Sequence, residues 1–443
     1  MDEYPINESK ARRERTLLIL AVVLSILLVA SCFAIPYLLS SSGSSSKSSA
    51  GSTGSTGFSR AEKGELEGFL LESGPYVEAQ DIVENNYVDA VGGDQLLDAG
   101  TRGIRRMADE GADDATLVDR GIVAMLDSLD DPFSAYMDPK ELEMLDTQLS
   151  GHFSGIGVAM QTVKNEIRVV KVLEGTPAQE TGMQEGDIVK EVDGKDVTGI
   201  ALDEVVLLIR GPEGSTVRVG VARPPSSNLI QFDIVRRDIE FPVIDYEMKE
   251  NGIGYLKLAD WTQDVDQKIS GALQDLRGKG AKGLVMDLRS NPGGYMEPAI
   301  KAADLFLRGG VIVSSKGRVA GATKEYTADD SVEWDLPVVI LVDRGSASSS
   351  EIFASALHDN GRCTLVGETT FGKGSIQKIF RQEDGSGLRL TIARYYTPDG
   401  SSIDDEGIDP DVLVRNPVVG DKDLQLDKAI EALMGSGLRF PEI

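Results

Sequence analysis

Ser346-Ala-Ser-Ser-Ser-Glu351 lies between an apolar run, Pro337 to Val342, and a run with helical spacing, Glu351 to His358. This order predicts a strand, a tight turn and a helix. A serine on such a turn can point its hydroxyl out of the fold, beside a helix N-terminus whose free N–H groups can hold an oxyanion. The plain alternative is a capping box, in which Ser348 and Glu351 only cap the helix. The turn is therefore a candidate nucleophile site that needs a base.

Strands and helices alternate around this turn, over residues 239–415. Gly283 to Leu288 is a second apolar run typical of a buried strand, and it leads into Arg289-Ser-Asn-Pro-Gly-Gly294. The alternation predicts an α/β layer with a partly parallel sheet. Because sites in such sheets collect at the carboxyl ends of strands, the Asn-Pro-Gly-Gly loop and the serine turn are expected at the same edge.

Histidine is a poor candidate for the base that the serine needs. His358 is ten residues from Ser348 on the predicted helix, nearly three turns away at about 3.6 residues per turn. His152 lies in another region, and the chain has no obvious Gly-x-Ser-x-Gly motif. Lys373, between two glycines, can act as a base if burial lowers its pKa from about 10.4. Its alternatives are a solvated loop lysine or an anion-binding loop, and the spacing of a phosphate-binding P-loop is absent.

Composition excludes several classes of function. The formal net charge of −27 argues against nucleic acid as a partner, since phosphates attract Lys and Arg. The two cysteines, Cys32 and Cys363, are too few for a disulfide framework or a cysteine-based zinc site. With two histidines and no HExxH motif, no cluster in the sequence suggests a zinc site.

The N-terminal residues indicate a membrane segment. Residues 1–15 are polar and end in a basic flank, and residues 16–39 carry no charge, which predicts a transmembrane helix with a cytoplasmic N-terminus. The protein would be a single-pass protein of the cell membrane with an extracytoplasmic catalytic part. A cleaved signal peptide and lipidation at Cys32 are alternatives. Residues 40–59 predict a flexible Ser/Gly linker, and residues 60–150 show helical spacing with no chemistry of their own.

Residues 151–238 change to short β-type runs separated by turns. The order of Gly155-Ile-Gly-Val158, Pro177-Ala178 and Gly186-Asp-Ile188 resembles a PDZ domain. The resemblance implies that the loop formed by Gly155, Ile156, Gly157 and Val158 offers N–H groups to the carboxylate of a peptide C-terminus, while the peptide adds a strand to the domain edge. The plain alternative for this loop is a Gly-rich β-turn.

Four motifs further along resemble the C-terminal processing peptidases, which are PDZ-containing serine proteases with a Ser-Lys dyad. These motifs are Leu288-Arg-Ser-Asn-Pro-Gly-Gly294, Ser346-Ala-Ser-Ser-Ser-Glu351, Gly372-Lys-Gly-Ser-Ile-Gln377 and Arg394-Tyr-Tyr-Thr-Pro-Asp-Gly400. The turn Asp127 to Tyr136 also resembles the N-terminal region of that family. The likeness runs from about residue 80 to residue 415.

The resemblance implies a role for each matching catalytic residue. Ser348 would attack the scissile carbonyl, and neutral Lys373 would take its proton and later protonate the leaving amine. Gln377 would orient the lysine. No metal or cofactor is implied for this chemistry.

The resemblance also implies an oxyanion hole. Its donors would be the backbone N–H of Ser349 and that of either Gly293 or Gly294, with the choice of glycine left open. Ser349 replaces the small alanine that the family usually carries after the nucleophile. The replacement leaves three consecutive serines, so Ser349 or Ser350 is the fallback nucleophile.

Together these features predict an α/β multidomain protein. Its parts are one transmembrane helix, a helical N-terminal region, a PDZ-like β-rich domain, an α/β protease core with a mixed sheet at 239–415 and a C-terminal helical tail at 416–443. The expected function is that of a serine endopeptidase that recognises and processes the C-terminal regions of extracytoplasmic proteins with exposed apolar C-termini. A catalytically silent PDZ scaffold and an esterase are the alternatives. The substrate and the oligomeric state stay open.

Overall fold

The computed structural model describes residues 60–150, 152–163, 165–240, 242–329, 331–415 and 422–435. These residues form two compact units. The smaller unit lies between Ser150 and Pro242, and the larger unit contains the described residues before and after it. The N-terminus, transmembrane helix and linker predicted over residues 1–59 lie outside the described residues.

The described residues form helices and short strands along most of their length. The helices are α1 (Arg60–Glu72), α2 (Gly74–Asn86), α3 (Gly93–Asp109), α4 (Asp114–Asp127), α5 (Pro139–Ser150), α6 (Pro177–Glu180), α7 (Leu202–Ile209), α8 (Val265–Gly278), α9 (Met296–Asp304), α10 (Ser349–Asp359) and α11 (Leu424–Gly435), with a 3₁₀ turn at Glu250–Gly252. The strands are β1 (Ala135–Met137), β2 (His152–Gly155), β3 (Val158–Val163), β4 (Glu166–Val172), β5 (Ile188–Val192), β6 (Lys195–Asp196), β7 (Thr216–Ala222), β8 (Leu229–Val235), β9 (Arg237–Glu240), β10 (Ile244–Lys249), β11 (Ile253–Leu258), β12 (Gly283–Asp287), β13 (Val311–Gly317), β14 (Lys324–Thr327), β15 (Val338–Val342), β16 (Thr364–Gly367), β17 (Ser375–Arg381), β18 (Gly387–Tyr396) and β19 (Val412–Leu413).

The main sheet of the larger unit has the order β10-β11-β12-β15-β16-β19. β10 runs antiparallel to β11, and the neighbouring pairs from β11 onwards are parallel, so the sheet is mixed. All five residues of β12 and of β15 are buried. Strands covered on both faces have such continuous apolar runs, which is why both were visible in the sequence.

The second sheet of the larger unit has the order β1-β18-β13-β14, and β17 also pairs with β18. β1 follows the turn at Asp130 to Ser134 and pairs antiparallel with β18, with Ala135 opposite Arg389. The N-terminal helices bury a core that includes Tyr76, Ile104 and Leu388 of β18. The helical N-terminal region is therefore part of the same unit as the main sheet.

The smaller unit is built around the sheet β3-β4-β5-β7-β8, with β6 paired to β5 and a separate pair formed by β2 and β9. Its core contains Ile156, Val205 of α7 and Val219 of β7, each almost fully buried. β3 and β8 form the two ends of the strand order, so each has one neighbour in this sheet.

The fold class predicted from the sequence is corrected in one respect, the transmembrane helix. Within the described parts of the chain, no helix is both long enough and apolar enough to cross a membrane. The longest of them, α3, has 17 residues and carries charges such as Asp94 and Arg106. A helix that buries only one face in a protein core keeps charged residues on the other. The supported fold is a helical region, a PDZ-like unit and an α/β core with a mixed sheet.

Candidate active site

The serine turn, Ser346 to Glu351, connects β15 to α10 at the carboxyl edge of the main sheet. The loop Asn291 to Gly294 follows β12, the parallel neighbour of β15. The two meet directly, because the N–H of Ala347 donates to the carbonyl of Asn291 at 3.0 Å. The expectation that both loops lie at one edge of the sheet is confirmed.

Ser348 differs from its neighbours in backbone conformation and exposure. It occupies the position before α10 with φ 53° and ψ −115°, a region that residues with a side chain rarely adopt. Such strain costs on the order of 1–3 kcal/mol and persists only where the surroundings impose it. Ser348 is half-buried, whereas Ser349 is only 1% exposed. A half-buried serine at a helix N-terminus can meet a substrate carbonyl.

The serines beside Ser348 have hydroxyls that are already engaged. Each donates to a backbone carbonyl: Ser346 to Leu288 (2.8 Å), Ser349 to Gly294 (3.0 Å) and Ser350 to Asn291 (3.0 Å). The Ser350 hydroxyl also accepts from the Trp261 Nε1–H at 3.0 Å. These hydrogen bonds join the serine turn to the segment Leu288 to Gly294, so the three neighbouring serines have a structural role.

Asn291 organises the loop that is expected to hold the oxyanion. It is fully buried, and its Nδ2 donates to the carbonyl of Leu258 at 3.1 Å. Its Oδ1 accepts the N–H of Gly293 at 3.0 Å. Gly293 and Gly294 both have positive φ, and a Cβ on Gly293 would lie only 2.8 Å from the Cβ of Ser348. Only glycine permits this approach.

The N–H groups near Ser348 differ in their availability. The Gly293 N–H is taken by Asn291. Within the described residues, the N–H of Gly294 and that of Ser349 donate to no protein acceptor. Donors left free at a helix N-terminus are suited to a developing negative charge.

Glu351 joins the serine turn to the lysine loop, Gly372 to Gly374. Its buried carboxylate accepts the N–H of Ser348 at 2.7 Å, that of Gly372 at 2.7 Å and that of Lys373 at 3.0 Å. It also accepts from the Thr370 hydroxyl at 2.5 Å. Burial raises the pKa of Glu351, and the donated hydrogen bonds oppose that rise. The capping contact foreseen for Glu351 is present, and the same side chain also anchors the lysine loop.

Tyr395 of β18 joins the same two segments through their carbonyls. Its ring is 1% exposed. Its hydroxyl lies within hydrogen-bond reach of the Lys373 carbonyl and at 3.3 Å from that of Ser348. Burial raises the pKa of Tyr395, so the phenol stays protonated and donates. Glu351 thus binds the N–H groups of the two loops, whereas Tyr395 contacts their carbonyls.

Lys373 lies between β16 and β17, and its side chain is half-buried. Burial and the nearby Arg389 lower its pKa to about 8, while Asp131 and Glu351 act in the opposite sense. A pKa of about 8 leaves about a tenth of the amine neutral at pH 7. The Nζ lies 4.8 Å from the centroid of the Phe133 ring. Among the described residues, Nζ forms no hydrogen bond with Ser348 or Gln377, and such bonds often tighten only when substrate binds.

Gln377 stands on β17, where its Nε2 donates to the hydroxyls of Ser375 at 2.9 Å and Thr391 at 3.2 Å. Both contacts use the amide nitrogen and hold the side chain on β17. Of the two amide atoms, only Oε1 can accept a hydrogen bond from a lysine. Its assigned role toward Lys373 stays a prediction.

His358 is excluded as the base on electrostatic grounds as well as by its position. It lies at the end of α10 with Asp359 at 3.1 Å and Asp411 at 3.2 Å. These carboxylates raise its pKa to about 9. The imidazole is therefore protonated at neutral pH and cannot accept a proton. Within the part of the chain that the structure describes, no group of three or more His, Cys, Asp and Glu is arranged to hold a metal.

The PDZ-like loop of the smaller unit has its carbonyls turned into the fold. The Ile156 carbonyl accepts the Ala178 N–H at 2.9 Å, and the Gly157 carbonyl accepts the Leu173 N–H at 3.0 Å. Gly157 has φ 83°, and a Cβ there would lie 2.3 Å from the Thr176 side chain. The N–H groups of Ile156 and Gly157 have no acceptor among the described residues.

Sequence reasoning missed part of this arrangement. Asn291 and Tyr395 stood inside quoted motifs without a role, and Glu351 was assigned only to capping. Phe133 stood in a turn that was expected to have no chemistry of its own. The motifs marked these residues as members of a pattern, but only the fold shows which of their atoms meet.

Comparison with known proteins agrees with the fold. Residues 252–414 match the model of peptidase family S41, and residues 144–222 match that of the PDZ domain. The carboxy-terminal processing protease CtpA of Bacillus subtilis (strain 168) is 38% identical over 305 residues, which cover 69% of this chain and 65% of that protein. The match thus spans just under two thirds of the length of that relative.

Two further proteins are similar over most of the chain. The carboxy-terminal-processing protease of Bartonella bacilliformis is 38% identical over 311 residues, covering 69% of this chain and 71% of that protein. Among solved structures, the photosystem II D1 C-terminal processing protease has a TM-score of 0.49 at 28% identity, covering 84% of this chain and 98% of that chain.

The fold and the matched models define a serine-type peptidase of family S41 that carries a PDZ domain. Within that class, the chain belongs to the carboxy-terminal processing proteases. The resemblance drawn from the four motifs is confirmed.

Proposed function

We propose that the protein is an endopeptidase that processes the C-terminal regions of other proteins with a dyad of Ser348 and Lys373. One observation carries the proposal. The buried carboxylate of Glu351 accepts the backbone N–H of both residues, so two separate loops converge on one point. A strained, half-buried serine then lies in the same site as a lysine whose pKa is about 8.

The proposed reaction proceeds in two halves. Neutral Lys373 takes the hydroxyl proton of Ser348 as its oxygen attacks the scissile carbonyl, and the resulting ammonium gives that proton to the leaving amine. The N–H groups of Ser349 and Gly294 receive the oxyanion, and we favour Gly294 because the Gly293 N–H is engaged. Water then attacks the acyl-enzyme, and Lys373 takes its proton and returns it to Ser348. Gln377 would accept a hydrogen bond from Lys373 through Oε1.

The smaller unit would bind the substrate tail. The free N–H groups of Ile156 and Gly157 can hold a terminal carboxylate, and an extended tail can pair with β3, a strand at one end of its sheet. The proposed partners are proteins with exposed C-termini, and we keep the expectation that these tails are apolar. A C-terminal peptide should bind the Ser348→Ala protein, and its amidated form should bind much more weakly. Equal binding of both forms would show that the terminal carboxylate is not recognised.

An extracytoplasmic location is also part of the proposal. It rests on the order of the N-terminal sequence alone, in which basic residues precede the uncharged run at 16–39. Protease accessibility of the folded part in intact cells would test it.

The dyad is tested with Ser348→Ala and Lys373→Ala on a substrate with an unstructured C-terminal tail. Each variant should lose cleavage while its thermal unfolding stays close to that of the unchanged protein. A reactive-serine probe should label Ser348, and this labelling would separate a peptidase from a silent PDZ scaffold. Normal cleavage by the Ser348→Ala protein would show that Ser348 is not the nucleophile.

A further inference from the structure

The ring of Phe133 covers the end of the Lys373 side chain. The lysine Nζ lies 4.8 Å from the ring centroid. Phe133 belongs to the turn Asp130 to Ser134, which lies far earlier in the sequence, between α4 and β1. The N-terminal helical region therefore contributes a side chain to the surroundings of the candidate base.

The turn that carries Phe133 is firmly held. Asp131 accepts the N–H of Phe133 at 2.9 Å and the hydroxyl of Ser134 at 2.6 Å. The Ser134 hydroxyl accepts the N–H of Thr391 at 3.0 Å, which joins the turn to β18. The pairing of β1 with β18 continues this attachment. Phe133 is thus fixed against the hairpin that follows the lysine loop.

Arg389 of β18 completes this environment. Its Nε donates to the carbonyl of Phe133 at 3.0 Å. Its positive charge disfavours a second positive charge on Lys373, while the carboxylates of Asp131 and Glu351 favour one. Burial is the largest influence, and it also disfavours the charged amine. The groups acting on Lys373 therefore come from the turn, from β18 and from α10.

An aromatic ring has two opposite effects on an amine beside it. It excludes water, which disfavours the ammonium, and its face attracts a cation, which favours it. At Lys373 the ammonium is disfavoured overall. Burial is the largest cause, and the ring of Phe133 is one of the groups that cover the amine.

We propose that Phe133 is a positioning residue whose ring forms a partial seal over the Lys373 amine and favours the neutral form that proton transfer requires. The inference rests on the proposed role of Lys373 as the base. It assigns the N-terminal helical region a part in catalysis that its sequence did not indicate.

The test compares Phe133→Ala, which removes the cover, with Phe133→Leu, which replaces the ring by another apolar side chain. Phe133→Ala should move the midpoint of the kcat/KM profile upward by about one pH unit, with about a tenfold loss at pH 7 that is regained at high pH. Phe133→Leu should keep the midpoint at or below its original value. Phe133→Val should give a smaller upward shift, and it keeps the test decisive if the alanine variant does not fold.

A matched control is available on β17. The Nζ of Lys378 lies 4.8 Å from the centroid of the Phe380 ring, the same separation as at Lys373, but Lys378 is exposed. Phe380→Leu should therefore leave the pH midpoint unchanged. A uniform loss of activity in the Phe133→Ala and Phe133→Val proteins, with no change of midpoint, would overturn the proposal, because it would reduce Phe133 to a structural contact.

A second readout does not depend on catalysis. Competitive labelling of amines with trace acetic anhydride, followed by mass spectrometry, gives the pH midpoint of Lys373 itself in the Ser348→Ala protein. That midpoint should rise in the Phe133→Ala protein. An unchanged midpoint would overturn the proposal that Phe133 shields the amine from water. If the labelling midpoint shifts while the midpoint of the kcat/KM profile does not, Phe133 does shield the amine from water. The assignment of Lys373 as the base would then be wrong.

Discussion

The serine turn and the lysine loop are fixed in different ways. In the serine turn, the neighbouring hydroxyls of Ser346, Ser349 and Ser350 tie the backbone to adjacent loops. In the lysine loop, the backbone is anchored by Glu351, but the amine of Lys373 lies against a ring and near a like charge. The position of the nucleophile is therefore fixed by hydrogen bonds of its turn, whereas the protonation of the base depends on the groups around its amine. Changes around the turn should scale activity at every pH, whereas changes around the amine should move the pH dependence.

Glu351→Gln should give the largest effect among variants that leave the dyad intact. The amide keeps one acceptor oxygen where the carboxylate offers two, so some of its four donors lose their partner. Each buried donor left unpaired costs about 1–3 kcal/mol, and we expect about a 10²- to 10³-fold loss of kcat/KM. Steady-state kinetics from pH 6 to 10 would show a uniform reduction, with the midpoint unchanged or slightly lower.

Glu297→Gln is the control for this prediction. Glu297 is the acidic residue in the first turn of α9, and its side chain is 77% exposed. Its replacement should change neither kcat/KM nor thermal unfolding. If Glu351→Gln retained full activity, the convergence of the two loops on this carboxylate would have no functional meaning.

The unchanged enzyme should show the second largest effect, its own pH dependence. A base with a pKa of about 8 is neutral above that pH, so activity should rise with pH and level off above about 9. The neutral fraction grows about 90-fold between pH 6 and pH 9 for this pKa. The measurement is kcat/KM on a tail substrate without ionisable groups near the scissile bond. A flat profile from about pH 5 to 9 would speak against a lysine base.

Tyr395→Phe should have a smaller effect, about a tenfold loss of kcat/KM. The variant keeps the buried ring but removes the hydroxyl that reaches the Lys373 carbonyl. Since this contact positions the backbone, the loss should be the same at each pH. Tyr396→Phe, on the next residue of β18, keeps the ring over which Lys316 lies and should be close to neutral. A shifted midpoint in the Tyr395→Phe protein would instead show that Tyr395 affects the protonation of Lys373, and not only the position of the backbone.

The sequence was sufficient where a local pattern determines the contact. The continuous apolar runs of β12 and β15 predicted buried parallel strands, and this placed the serine turn beside the Asn291 loop. Lys373 was assigned because Gly372-Lys-Gly-Ser-Ile-Gln377 resembles a motif of a known family. The partial seal on that lysine could not be found in this way, because Phe133 is brought to Lys373 by the pairing of β1 with β18 and by the contacts of its turn with β18. Register between strands distant in sequence is set by packing, and no local signal records it.

Ser349→Ala should give the smallest effect and sharpens the choice among the three consecutive serines. Ser349 loses one hydroxyl contact, to the Gly294 carbonyl, and keeps its backbone N–H, so kcat/KM should stay within about threefold. Ser350→Ala should instead lower stability by about 1–3 kcal/mol, since the buried Trp261 N–H loses its acceptor. A reactive-serine probe should still label Ser348 in both variants. Loss of labelling in Ser349→Ala with retention in Ser348→Ala would transfer the nucleophile to Ser349, and the strained backbone at Ser348 would then serve only to start α10.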